Sequence, residues 1–107
     1  MVRYGQVIGV RADRLEEYKA YHAQVWPAVL QTIHDCSIRN YSIFYRDGLL
    51  FAYFEYVGDD FDADMRKMAA DPKTQAWWEI VMPMQKPLES RAEGEWWANM
   101  ERVFHTD

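Results

Sequence analysis

The dipeptide Asp47-Gly48 is the feature that most constrains the fold of this chain. It separates two runs, residues 39–46 and 49–57, that are rich in aromatic and β-branched side chains. An Asp-Gly pair between two such runs is the strongest short-range signal for a β-hairpin. The chain is therefore expected to contain an antiparallel sheet, in which a two-residue turn pairs Arg46 with Leu49, Ile43 with Ala52 and Tyr41 with Phe54.

Two further stretches have the pattern of strands. Residues Val2–Val10 alternate between apolar side chains and other residues, and Gly5 and Gly9 fall on the same face. A glycine inside a strand often marks a place where another backbone approaches closely. Residues 96–104 are the candidate for the last strand of the sheet.

Residues 15–33 have the periodicity of one long amphipathic helix, which is expected to end near residues 34–35. Asp13 is the predicted N-cap, and Glu16 follows three residues later as in a capping box. Apolar or aromatic side chains recur at intervals of three and four, and they share one face of the helix. That face carries Tyr18, His22, Val25, Trp26, Val29 and Ile33.

Two shorter helices are predicted in the second half of the chain. Residues Phe61–Ala70 begin with an acidic first turn, and residues 73–80 follow Asp71-Pro72, which reads as an N-cap with proline at the first helical position. The resulting order is strand, helix, strand, strand, helix, strand. This order predicts an α+β protein with a ferredoxin-like sandwich, in which the helices cover one face of the sheet. The economical cover for the other face is a second copy of the chain.

Composition limits the classes of function. The 107 residues are enough for one domain, residues 1–107, and half of them are apolar. The formal charge of −5, with no basic stripe, argues against nucleic-acid binding. Cys36 is the single cysteine, and neither a signal peptide nor a membrane-spanning run is evident. We expect a cytoplasmic protein with no membrane partner.

His22 is the leading candidate for chemistry. It lies near the centre of the apolar helix face, where an imidazole needs either a hydrogen-bond partner or a cavity. Pro27 disturbs the helix nearby, because it has no N–H group to donate. A histidine on an apolar face is more often a satisfied core residue than a catalyst, so the helix alone leaves both readings open.

The other kinds of site find little support in the sequence. His22, His34, His105 and Cys36 show no paired spacing of metal ligands, so no metal is expected. No glycine-rich phosphate loop and no serine triad are evident. Haem with His22 as axial ligand is a minor alternative, and a cofactor-free oxygenase of the dimeric α+β barrel type is another.

Four aromatic side chains could form a pocket around the imidazole of His22: Tyr18, Tyr41, Trp77 and Trp78. Tyr18 precedes His22 by one helical turn, so the two side chains are neighbours. Aromatic rings suit the apolar face of a pyranose, and tyrosine hydroxyls suit its alcohols. A structural role explains these residues about as well as a sugar pocket does. The tryptophans could pack in the core or in a dimer interface, and Tyr41 could make a cross-strand contact with Phe54.

At these residues the chain resembles the L-rhamnose mutarotase family. The matching motifs extend over nearly the whole chain, and their combination is far more specific than any one of them. They are E-E-Y-K-A-Y-H at 16–22, V-W-P at 25–27, N-Y-S-I at 40–43, Q-A-W-W at 75–78 and M-E-R-V-F-H at 100–105.

The resemblance implies a ferredoxin-like homodimer that interconverts the α and β anomers of L-rhamnose without a cofactor. It implies His22 as the proton donor, and Tyr18, Tyr41 and the pair Trp77-Trp78 as sugar-binding residues. The segments at 83–90 and 94–97 depart from the family pattern, which puts the identity of the sugar in question more than the chemistry. The alternatives are a mutarotase for another 6-deoxy sugar such as L-fucose, or a sugar-binding dimer without catalysis.

Overall fold

A computed structural model describes residues 1–107. The chain forms five β-strands and four α-helices, with short 3-10 turns at residues 12–14 and 82–84. In chain order they are β1 (Val2–Val10), α1 (Leu15–Ala23), α2 (Pro27–Asp35), β2 (Ile38–Arg46), β3 (Leu49–Tyr56), α3 (Phe61–Ala70), α4 (Pro72–Val81), β4 (Gln85–Lys86) and β5 (Ala98–Met100). None of the helices is long and apolar enough to cross a membrane.

The strands form one antiparallel sheet. Its order is β2-β3-β1-β4, and β5 also pairs with β1. This order is that of a ferredoxin-like sheet, and the predicted α+β fold class is confirmed. The two short strands follow each other along β1, with β4 opposite Gly9 and Val10 and β5 opposite residues 5–7.

The hairpin forms at the predicted turn. Asp47 and Gly48 both have positive φ, 51° and 83°, as the two central residues of a type I′ turn require. The pairs Arg46–Leu49 and Ile43–Ala52 are confirmed. Further along, a β-bulge shifts the register between Arg39 and Ser42, so that Asn40 and Tyr41 together oppose Phe54.

The prediction of one helix over residues 15–33 is wrong, because the chain forms α1 and α2 with a break at residues 24–26. Pro27 cannot donate a hydrogen bond to the preceding turn, and it is the first residue of α2 instead. Trp26, directly before the proline, is extended with ψ of 132°. The break therefore falls immediately after His22 and Ala23, and His22 lies in the last turn of α1.

The helix starts differ in how well they follow the sequence signals. Asp13 is not the N-cap of α1, since it lies in the 3-10 turn, and Arg14 at the cap position makes no capping hydrogen bond from its side chain. Glu16 forms an ion pair with Lys19 (3.3 Å) instead of closing a capping box. Asp71 does cap α4, because its carboxylate accepts from the backbone N–H of Thr74 at 2.9 Å.

The last strand is shorter than the predicted 96–104, since β5 covers only three residues. Trp96 is held outside the ladder by a side-chain hydrogen bond to Gln85. Beyond Met100 the chain makes no further ladder pair with β1, and residues 101–107 have no regular structure.

The main core lies between the helices and one face of the sheet. Ile8, Val10 and Leu50 of the sheet pack there against side chains of α1, α2 and α4, which are Tyr18, Val29, Trp77 and Val81. The alternate residues of the strands point to the other face, which no helix covers. Phe44 on that face is 65% exposed.

Candidate active site

The centre of the site is a stacked pair of rings from α1. Tyr18 and His22 are one helical turn apart, and their ring centroids lie 4.1 Å apart with planes inclined by 24°. Tyr18 is buried, with 3% of its surface exposed, whereas His22 is half-buried. The edge of Trp77 meets the imidazole at 5.3 Å between centroids, and Trp26 contacts the same indole at 5.2 Å. The imidazole thus has an aromatic ring stacked on one face and a second ring against it at a steep angle.

A hydrogen bond within α1 sets the protonation pattern of the imidazole. Nδ1 of His22 lies 2.8 Å from the backbone carbonyl oxygen of Tyr18. A carbonyl oxygen can only accept, so Nδ1 carries the hydrogen in the neutral ring, and Nε2 has a free lone pair. Nε2 is therefore the atom that can exchange a proton with a bound molecule.

Burial lowers the pKa of His22 below its usual 6.5, and the hydrogen bond to the Tyr18 carbonyl opposes this shift in part. The lowered pKa means that the imidazole is mainly neutral at pH 7. A neutral imidazole with a free Nε2 can accept a proton, and the imidazolium that results can donate one.

The hydroxyl of Tyr18 has a partner that the sequence did not reveal. The buried side chain of Gln85 on β4 donates from Nε2 to the Tyr18 hydroxyl oxygen at 3.1 Å. The indole N–H of Trp96 donates in turn to Oε1 of Gln85 at 2.7 Å. Gln85 lies in a strand of two residues, too short for any periodicity, so no sequence signal could have found it.

Tyr41 lies at the bulge of β2, close to this set. Its ring centroid is 5.6 Å from that of Phe54, so the cross-strand contact expected from the sequence is present. Tyr41 is 41% exposed as a residue, and desolvation by the protein around its hydroxyl raises its pKa. The Tyr18 phenol adds to this rise, because the two groups are near enough for charge on one to disfavour charge on the other.

The two adjacent tryptophans of α4 have different surroundings. Trp77 is buried and touches His22. Trp78 lies partly against the core and lines a shallow surface cleft of about 480 Å³. The structure therefore brings His22, Tyr18 and Trp77 into direct contact, with Tyr41 nearby, and it places Trp78 in the cleft. The other residues that line the cleft are Gln75, Glu79, Met82, Pro83 and Trp96.

The chain offers no cluster of metal ligands. No group of three or more histidine, cysteine, aspartate or glutamate side chains comes together in an arrangement that could hold a metal ion. The site described here is built from an imidazole, phenols, indoles and one carboxamide.

The chain is similar to known proteins along almost its whole length. The sequence model of the L-rhamnose mutarotase family matches residues 3–106. The chain belongs to the L-rhamnose mutarotase family. The family resemblance seen in the motifs is thereby confirmed over almost the whole length.

Individual relatives are similar to this chain over most of their length, and one solved structure has the same fold. The L-rhamnose mutarotase of Lactiplantibacillus plantarum is 33% identical over 109 residues, and the match covers 100% of both chains. The L-fucose mutarotase of Xanthomonas campestris is 33% identical, with 87% of this chain and 77% of that protein covered. The crystal structure of an L-rhamnose mutarotase from Formosa agariphila has the same fold, with a TM-score of 0.77 at 22% identity and full coverage of both chains.

Proposed function

We propose that this protein is a mutarotase that interconverts the α and β anomers of L-rhamnose, an isomerase that needs no cofactor. The observation that carries the proposal is the half-buried imidazole of His22. It stacks on Tyr18 at 4.1 Å, donates from Nδ1 to a backbone carbonyl, and keeps Nε2 free for a substrate. Membership of the L-rhamnose mutarotase family supplies the substrate class.

In the proposed reaction the imidazole of His22 exchanges a proton with the two oxygens at the anomeric carbon. Ring opening breaks the bond between C1 and O5, so that O5 gains a proton and the O1 hydroxyl loses one. Nε2 of the neutral His22 takes the proton from O1 and, as imidazolium, donates it to O5. The aldehyde turns about the C1–C2 bond and recloses on its other face by the reverse transfers, and no proton is consumed. Acid–base help of this kind contributes about 10²–10⁴-fold in rate.

The aromatic side chains around His22 provide the sugar-binding surface in this proposal. The phenols of Tyr18 and Tyr41 offer hydrogen-bonding groups to the alcohols of the sugar. The half-buried indole of Trp78 offers an apolar face in the cleft to the C–H groups of the ring. Trp77 is buried beside the reacting imidazole, so we assign it the role of a wall that holds His22 in place at the edge of the sugar site.

Exchange NMR on the purified protein tests the proposal. The protein should speed the transfer of magnetisation between the α and β anomeric protons of L-rhamnose, in proportion to enzyme concentration. L-Fucose is the necessary comparison, because an L-fucose mutarotase is also 33% identical to this chain. Faster exchange with L-fucose than with L-rhamnose would reassign the substrate. Saturable binding without faster exchange would favour a sugar-binding dimer that does not catalyse.

We further propose that residues 1–107 act as one domain in a homodimer. The support is the sheet face without helices, where Phe44, Phe51, Val7 and Ala98 form a row across β2, β3, β1 and β5. A second copy of this face would cover that row, as in a dimeric α+β barrel. A cytoplasmic location is part of the same proposal, because the buried thiol of Cys36 suits a reducing compartment.

A further inference from the structure

The side chain of Gln85 links two groups that have different hydrogen-bonding abilities. Gln85 is only 4% exposed, and both ends of its carboxamide are occupied. An indole N–H can donate but cannot accept, so the end that faces Trp96 must be the carbonyl oxygen. The end that faces Tyr18 is then the NH₂ group, and it donates to the phenol oxygen. The orientation of the carboxamide thus follows from the chemistry of its neighbours.

The hydrogen-bonding role of the Tyr18 hydroxyl is also fixed by its neighbour. Its oxygen accepts from Gln85 at 3.1 Å, and its own hydrogen is donated to no group of the protein. A phenol has one hydrogen to donate. That hydrogen has no acceptor within the protein.

We propose that Trp96 and Gln85 form a one-way chain of hydrogen bonds that makes the Tyr18 hydroxyl a donor to a sugar oxygen. Gln85 is then a positioning residue, because it acts on the substrate only through Tyr18. This inference rests on the proposed function, since it assumes that Tyr18 binds the sugar. It assigns a role to residues 85 and 96, which lie in the segments where the chain departs from the family pattern.

Two further observations support the donor role. Burial raises the pKa of the Tyr18 phenol, so the hydroxyl keeps its hydrogen throughout the neutral range. Gln85 is also held firmly in place, because β4 pairs with β1 and sets Gln85 opposite Val10. A carboxamide fixed at both ends and anchored by a backbone ladder loses little further freedom when the sugar binds.

The substitution Gln85→Glu keeps the size of the side chain and reverses the direction of its hydrogen bond with Tyr18. An ionised carboxylate can only accept, so it takes the hydrogen of Tyr18 as well as that of Trp96. Tyr18 then has no hydrogen left for the sugar. We expect KM for L-rhamnose to rise roughly three- to tenfold, the worth of one neutral hydrogen bond, with a smaller change in kcat.

The pH dependence separates this role from a merely structural one. When the new carboxyl group is protonated at low pH, it can donate to Tyr18 again. The ratio of the KM of Gln85→Glu to that of the wild type should therefore fall towards one as the pH is lowered. A ratio near one at every pH, or a raised ratio that does not change with pH, would overturn the proposal.

Two companion variants keep the test decisive. Gln31→Glu adds the same charge on the exposed side of α2, where the Gln31 side chain donates to Asp35, and should leave KM unchanged. Trp96→Phe removes the donor that orients the carboxamide, so KM should rise about two- to threefold. This variant tests the proposal even if Gln85→Glu does not fold. An unchanged KM for Trp96→Phe would count against the proposed chain of hydrogen bonds. If the wild type binds L-rhamnose but does not speed exchange, the proposed function fails, and the same comparisons made on Kd still test the role of Gln85.

Discussion

The imidazole of His22 is held by two influences that act on its pKa in opposite directions. Burial beside Tyr18 and Trp77 disfavours the charged form, whereas the hydrogen bond from Nδ1 to the Tyr18 carbonyl favours it. Burial has the larger effect, so the pKa is lowered. The neutral ring with a free Nε2 is the starting state that the proposed reaction requires.

The pH dependence of the rate follows from this shift. A lowered pKa means that His22 stays neutral at pH values where an ordinary histidine, with a pKa of 6.5, is already half charged. The enzymatic rate, after subtraction of the spontaneous rate, should be constant at alkaline pH and should reach half of that plateau at a pH below 6.5. Exchange NMR at a series of pH values measures this profile. A midpoint at or above pH 6.5 would contradict the assignment.

At the scale of elements, β1 organises the site through two short strands on one edge. Gly9 allows the backbone of Lys86 to approach, since a Cβ atom at residue 9 would lie 2.6 Å from the Lys86 carbonyl oxygen. This is the close approach that the glycine pattern predicted. It brings β4 against β1 and so places Gln85 beneath Tyr18.

Gly9→Ala should therefore destabilise the protein by about 1–3 kcal/mol, as overpacking against a rigid neighbour does. Gly5→Ala is the matched control in the same strand, because its Cβ would lie 3.3 Å from the flexible end of the Met100 side chain. The denaturant midpoints of the two variants measure the difference. Equal midpoints for Gly9→Ala and Gly5→Ala would show that the Lys86 contact is not a constraint.

The sequence predicts the helices and strands of this fold better than it predicts where a helix breaks or which side chains meet between elements. The hairpin, α3, α4 and β1 follow from local signals, of which the Asp47-Gly48 turn is the clearest. The break before Pro27 was missed because the apolar periodicity continues across it. Gln85 was missed because its burial comes from a two-residue pairing and from Trp96, neither of which leaves a pattern in the chain.

At the scale of the whole molecule, the two faces of the sheet differ. One face is covered by the four helices and carries the site, and the other presents aromatic side chains without a cover. On the open face Phe44 is directly opposite Phe51, which is in turn opposite Val7. Exposed apolar rows of this kind mark contact surfaces between proteins.

Phe44→Glu should convert the proposed dimer into a monomer, because two copies of the face would each bury an unpaired charge. Light scattering should give about twice 12.8 kDa for the wild type and 12.8 kDa for the variant. Leu30→Glu is the matched control, since Leu30 is 52% exposed on α2, away from this face. A monomeric wild type, or loss of the dimer in Leu30→Glu alone, would contradict the proposed interface.

The most direct test of the account is the exchange rate of L-rhamnose anomers with His22→Gln, with His34→Gln as control. His34 is an exposed histidine at the end of α2 and should be dispensable. We predict that His22→Gln loses about 10²–10⁴-fold of the enzymatic rate while still binding the sugar, and that His34→Gln keeps the wild-type rate. A folded His22→Gln protein that exchanges the anomers as fast as the wild type would contradict the central claim.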